Sequence, residues 1–181
     1  MFQESLKQVS NEYVTDEMKK QYLAESNFLI AYYHFLSMRS YGPTMIIRSV
    51  IDLETPISGF PERSSIDEVV AFINEKLDEA MSEGGLPTTW SGKDYGRATR
   101  LAALALKSRV YLYAASPLYN GNTEMYADFR SPLDGRQLIA QEKSQAKWEI
   151  SATQTKYAID EVEKAKFHLY HDADAGEPSD A

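Results

Sequence analysis

The residues best equipped to hold a ligand are aromatic rings in segments rich in turn signals: Trp90, Tyr95, Tyr119, Tyr126 and Phe129. A sugar presents C–H faces that can lie on an aromatic ring, while flanking polar groups meet its hydroxyls. Loops carried on a rigid helical base are where binding groups tend to sit. The competing use of each ring is to pack its own loop against that base. The rings Tyr32, Tyr33, Tyr111 and Tyr113 fall inside helical patterns and are expected in the core.

Other chemistry is thinly provided. The chain has no cysteine and three histidines. Disulfides, thiolate metal sites and cysteine nucleophiles are therefore excluded, and most nucleophile-plus-base schemes lack parts. The motifs GxSxG, HExxH and GxxxxGK[ST] are absent, as is a GxGxxG after a strand. Asp52 and Glu54 make a close carboxylate pair, but such pairs are common in loops and give little support to glycosidase chemistry. His34 lies in the narrow polar stripe of a helix and is expected as a satisfied, half-buried histidine. His168 and His171 flank Leu169-Tyr170, and a metal there would need further ligands. Asp172 and Asp174 resemble the start of a calcium loop, yet Gly176 comes one place early and no closing glutamate follows. Residues 171–181 read as an acidic tail. We expect no metal, no cofactor and no catalytic activity.

The elements that must position the rings are helices. The first strong segment runs from about Thr15 to Tyr41, with Thr15 or Asp16 as its cap and Gly42-Pro43 as its stop. Its second half is apolar nearly all round, with Asn27, His34 and Ser37 as the polar exceptions, which predicts burial on most sides. Ser65 and Glu68 form a capping box ahead of Ile66, Val69, Val70, Ile73, Leu77, Ala80 and Met81, whose spacing is helical. Gly84-Gly85 and Pro87 are the stop signal. A third helix is expected from Arg97 or Thr99 to Ala115. Its alanines would admit close neighbours, and Arg100, Lys107, Ser108 and Arg109 form its polar face. A fourth runs from about Ala146 to Ala165, with Trp148, Ala152, Thr155, Ile159, Val162 and Lys166 as its inner stripe. Two long loops, 42–64 and 116–145, interrupt this series. Met45–Leu53 and Leu138-Ile139 could each hold a short extended piece, and Asn120-Gly121 and Asp134-Gly135 are turn signals.

The four helices thus form two pairs. Ile73, Leu77 and Ala80 share a four–three spacing with Ala158, Val162 and Ala165, the pattern of the second helix of a tetratricopeptide hairpin. The fold class is all-α, with degenerate repeats of that type and long loop insertions. One repeat core is expected to fill residues 1–181. Twenty kilodaltons of ordinary composition, 43% hydrophobic and 25% charged, suits a folded core. The formal charge of −8 argues against a nucleic-acid binder. The first residues, MFQESLKQVS, lack a signal peptide's apolar stretch. With the uncapped acidic finish, they lead to the expectation of an internal section of a longer protein.

Several blocks, in order, resemble the SusD-like (RagB/SusD) proteins of Bacteroidetes. They are AESNFLIAYYHFLSMRSYGP at 24–43, SIDEVVAFINEKLDEAM at 65–81 and GRATRLAALALKSRVYLYAASPLYNGN at 96–122. The Ala127–Gly135 insertion and the Lys147-Trp148…Ala158-Ile159 helix continue the resemblance, which covers about Thr15 to Tyr170. It implies a helical-repeat scaffold and a lipoprotein on the external face of the outer membrane. It further implies capture of glycans or other nutrients without cleavage, by a protein that lies over a SusC-like TonB-dependent transporter and acts as its lid. No binding residue transfers by motif, because the matching blocks are scaffold blocks. A reading from a different class is a repeat module that contacts only the transporter, through loops 42–64 and 116–145.

Overall fold

The computed structural model describes residues 2–10 and 12–169. Among them are six α-helices: α1 (Phe2–Gln8), α2 (Asp16–Tyr41), α3 (Ile66–Ala80), α4 (Arg100–Ala115), α5 (Thr123–Tyr126) and α6 (Gln145–Lys164). Pairing between strands is confined, among these residues, to isolated bridges. The chain is all-α, and the helices associate as α2 with α3 and α4 with α6, with α3 lying against α4. The expected pairs are the observed ones. The tail 171–181, with His171, Asp172, Asp174 and Gly176, lies outside the described residues.

α2 starts where its cap predicts: Thr15 Oγ1 accepts from the Met18 N–H at 3.2 Å. It stops at Gly42, whose φ of 70° is left-handed and whose N–H returns to Met38 O. Its core stripe is Ala24, Ala31, Phe35 and Met38. The expectation of burial on most sides is corrected: Leu29 is 46% exposed and Tyr33 62%. Tyr32, also expected inside, is 39% exposed. The helices lying against α2 (α1, α3 and α4) leave this face uncovered. A sequence apolar all round carries no phase from which the covered side could be read. Phe28 and Tyr32 stack with near-parallel rings on that flank. α1 was not expected from the sequence, since seven residues are too few to show a period. Its Leu6 is buried, and Gln3 Nε2 donates to Ser26 Oγ and Asn27 Oδ1 on α2.

α3 is the most regular element. Val69, Ile73, Leu77 and Ala80 are fully buried, and both halves of the capping box are made. Hydrogen bonds from the Ser65 hydroxyl and then the Ser65 backbone N–H hold the Glu68 carboxyl below its usual value. A depressed folded value means the box stabilises fully above the unfolded value of 4.5 and fades as pH falls through the folded one. Ser65→Ala is accordingly expected to cost about 1 kcal/mol at neutral pH. Urea titrations at pH 7 and pH 3 check this: the gap from wild type should shrink at pH 3, and an unchanged gap would contradict it. The helix ends at Ala80, a little before the glycines, and the Leu86 N–H returns to Ala80 O at 2.9 Å. Gly85 is fixed by this turn, because a Cβ there would lie 2.5 Å from Ala80 O.

α4 is capped by Thr99, a little after Arg97. Ala103, Leu106, Val110 and Ala114 face the core, and Tyr111 and Tyr113 pack half-buried against it as expected. The α6 stripe is corrected. Ser151 and Ala158 are its buried residues and Thr155 and Val162 are half-buried, whereas Ala152, Lys166 and Ile159 are exposed. The register is set by small residues, Ser151 and Ala158, and by Ser108 Oγ on α4 meeting Thr155 Oγ1 at 2.8 Å. Trp148, Thr155 and Val162 keep their expected inward places, and the face differs by one position where Ser151 and Ala158 replace Ala152 and Ile159.

The two long loops come together. Ser64 N–H donates to Thr44 O, Met45 bridges Arg63, and Arg136 Nη2 donates to Arg63 O at 2.7 Å. Met45 is therefore the one paired residue of the expected 45–53 extended piece. Leu138 and Ile139, each 1% exposed, enter the core instead of forming a strand, and Leu138 O accepts from the Ile66 N–H. His34 is satisfied as expected: Nδ1–H donates to Ile30 O, and Nε2 accepts from the Ile47 N–H. Its ring meets the edge of Phe72.

Candidate ligand-binding site

Of the expected rings, Trp90 and Tyr95 come together on the α3–α4 connection. They line a cleft of about 400 Å³ with Thr88, Thr89, Val162 and Phe167. Trp90 is half-buried and anchored by its Nε1–H, which donates to Ala98 O at 2.7 Å. Tyr95 stands 86% exposed at the rim. Pro87 O accepts from the Arg100 N–H, which ties the start of this connection to the first turn of α4.

Arg97 is the residue that organises the cleft, and the sequence did not single it out. Its Nε and Nη2 donate to Glu25 Oε1 and Oε2 at 2.7 and 3.0 Å, a bidentate pair reaching back to α2. Its Nη1 donates to Asp94 Oδ1 at 2.9 Å. The guanidinium lies 4.1 Å from the Trp90 ring centroid and 5.6 Å from that of Tyr22. Glu25 first, and then Asp94, hold Arg97 charged well above the ordinary arginine value. A fixed guanidinium over an indole is a cation–π contact that orients the ring. The Asp94–Arg97 spacing was a readable signal for half of this arrangement. Glu25, seventy-two positions from Arg97, was not.

The other rings are used differently. Tyr119 is corrected from a surface ring to a core one: it is 4% exposed and its hydroxyl donates to Met38 O at 3.3 Å. Burial also pushes its phenol above the usual value. Tyr126 and Phe129 meet at 5.8 Å, tilted by 43°, and pack half-buried on the core. Gln137 and Gln141 both donate to Tyr126 O and hold this turn. Tyr126 and Phe129 lie in the 116–145 loop, apart from the Trp90 cleft in the chain and absent from its lining. Asp52, of the carboxylate pair, turns its Oδ1 to the Glu54 N–H and so closes a loop turn. His168 is exposed.

The chain is thus an all-α scaffold with an aromatic cleft on the connection between α3 and α4. A family model described as "Starch-binding associating with outer membrane", of the SusD-like group, matches residues 1–112. The structure of BT4246 is 34% identical and superposes with a TM-score of 0.83 over 94% of this chain and 29% of that one. A structure of selenomethionine BT4246 gives 33% and 0.77, covering 94% of this chain and 28% of that chain. A SusD-like protein of Bacteroides fragilis is 35% identical, with a TM-score of 0.50 over 55% of this chain and 19% of that one. No curated protein matches. The chain belongs to the SusD-like family, and it spans about 29% of the length of BT4246.

Proposed function

We propose that this chain is the helical-repeat core, residues 1–181, of a non-catalytic protein that captures oligosaccharide at the external face of the outer membrane. Uptake would follow through a TonB-dependent transporter of SusC type. The repeats would be of degenerate tetratricopeptide type, with the connections between helices carrying the ligand contacts. The observation that carries this reading is the Trp90–Tyr95 cleft, whose indole is held by Arg97 while a phenol stands free at the rim. Family membership supports it, since the family is described as starch-binding and associated with the outer membrane. The cleft offers an apolar base from Val162 and Phe167 and hydroxyls from Thr88 and Thr89. Those are the two halves of sugar recognition, an apolar face and hydrogen-bonding groups at its edge.

The test is calorimetric titration of the full-length protein with maltoheptaose and a panel of other neutral oligosaccharides. Trp90→Ala and Tyr95→Ala are each expected to weaken the bound member by about tenfold or more, as truncation of an aromatic anchor does. Unchanged affinity in both variants would remove the cleft from the reading. Release of shorter products from any bound oligosaccharide would overturn its non-catalytic part.

A further inference from the structure

A second cleft lies where the two long loops meet, and its chemistry differs from that of the first. It has a volume of about 490 Å³ and is lined by Phe129, Leu133 and Leu138 on its apolar part. Arg63, Arg130 and Glu62 supply its charges. We propose that this cleft binds a sugar carrying an anionic group, a carboxylate or a sulfate. The proposal rests on the glycan-binding reading above and extends it to a distinct site and ligand class.

The arginines are positioned but not exhausted. Arg63 is fixed by Nη1, which donates to Pro43 O at 2.9 Å and Tyr41 O at 3.4 Å. Arg130 Nη1 donates to Gly135 O at 3.1 Å. Among the described residues, neither guanidinium has a carboxylate partner. That contrasts with Arg97, whose charge is met by two carboxylates. Of the acids nearby, Asp134 has a cationic partner and Glu62, among the described residues, has only a hydroxyl donor. Glu62 Oε2 accepts from Ser131 Oγ at 3.2 Å. Asp134 accepts from the Arg136 N–H at 3.1 Å and also pairs with the Arg136 guanidinium. The lining thus brings two guanidiniums against one carboxylate, in a chain whose net charge is −8. A guanidinium fork matches a carboxylate or sulfate in geometry as well as charge. The half-buried Phe129 ring and the exposed Leu133 suit the C–H face of the same sugar.

The rims of the cleft come from segments that the fold clamps together. Arg136 Nη2 on Arg63 O and Ser131 Oγ on Glu62 join loop 42–64 to loop 116–145. A ligand would therefore meet a preformed site and not have to order two free loops, which lowers the entropic cost of binding.

Titration of the full-length protein with tetragalacturonate, with N-acetylglucosamine 6-sulfate and with maltoheptaose tests this. At least one anionic probe is expected to bind, and to weaken by about tenfold between low and about 0.5 M salt. Binding of tetragalacturonate alone would assign the carboxylate, and of the sulfated sugar alone the sulfate. Arg130→Gln should weaken the anionic probe by about tenfold while leaving maltoheptaose unchanged. Arg63→Lys, which keeps charge but loses the fork, should weaken it less. Thermal melts of both variants separate a lost contact from a lost fold. If maltoheptaose binds through Trp90 and Tyr95 but neither anionic probe does, this inference fails and the first reading stands. Anionic binding indifferent to Arg130→Gln also overturns it. If no probe and no panel sugar binds, both readings fall.

Discussion

Replacing Phe35 with alanine is expected to destabilise the protein by about 3–5 kcal/mol, the usual cost of truncating a fully buried phenylalanine. Phe35 is 1% exposed and sits on α2 among the helices that form the core. Its ring meets Tyr113 of α4 edge-on, with centroids 5.4 Å apart. The substitution therefore removes apolar burial, opens a cavity and breaks an aromatic pair at the α2–α4 contact. Phe35→Leu keeps much of the volume and should cost less, about 1–2 kcal/mol. Urea unfolding of both variants in the full-length protein, followed by circular dichroism, gives the two values. A loss below about 1 kcal/mol for alanine would mean that the site collapses freely, contrary to a close-packed α2–α4 seam.

Arg97→Ala is expected to cost about 1–3 kcal/mol of stability and to disable the Trp90 cleft. The two side chains of the Arg97–Glu25 pair are 28% and 21% exposed. Partial solvent screening puts the effect below the about 3–5 kcal/mol of breaking a fully buried pair. Loss of the guanidinium leaves Glu25 without its bidentate donor and Trp90 without its cation. A double-mutant cycle with Glu25→Gln should return a coupling of about 1–2 kcal/mol, since the groups are in direct contact. Arg97→Lys should not restore it, because an ammonium cannot donate to both carboxylate oxygens and lie flat on the indole. Additive single effects would show that the pair does not act as a unit. A sugar affinity unchanged in Arg97→Ala would separate the pair from the cleft.

Much of the scaffold was legible because short-range rules governed it. The Thr15 cap, the Ser65–Glu68 box and the Thr99 cap are contacts made within three residues, so their signals sit inside a few letters of sequence. The start and the buried face of α3 could be read because its apolar positions keep one phase. α2 was legible as a helix but not in its facing, and Tyr33 moved from expected core to a largely exposed position. α6 was legible in extent, while its inner face was set by Ser151 and Ala158, residues whose smallness matters only once α4 lies beside them. The aromatic rings divided for a similar reason. Tyr119 shares a turn-rich segment with Tyr126, yet its hydroxyl reaches Met38 O across eighty-one positions and draws the ring into the core.

By itself, the sequence determined the four long helices, the caps of three of them, the pairing of long apolar segments and, through its ordered blocks, the SusD-like family. Those depend on local hydrogen bonding and on periodicity, which a linear pattern carries. Tertiary structure alone decided which rings line a cleft, which enter the core and which charges remain available. Arg97 and Arg130 look alike in the sequence, but folding brings Glu25 to Arg97 and leaves Arg130 without a carboxylate partner among the described residues. A guanidinium's role depends on what lies within a few ångströms of it, and that distance is set by the packing of helices far apart in the chain.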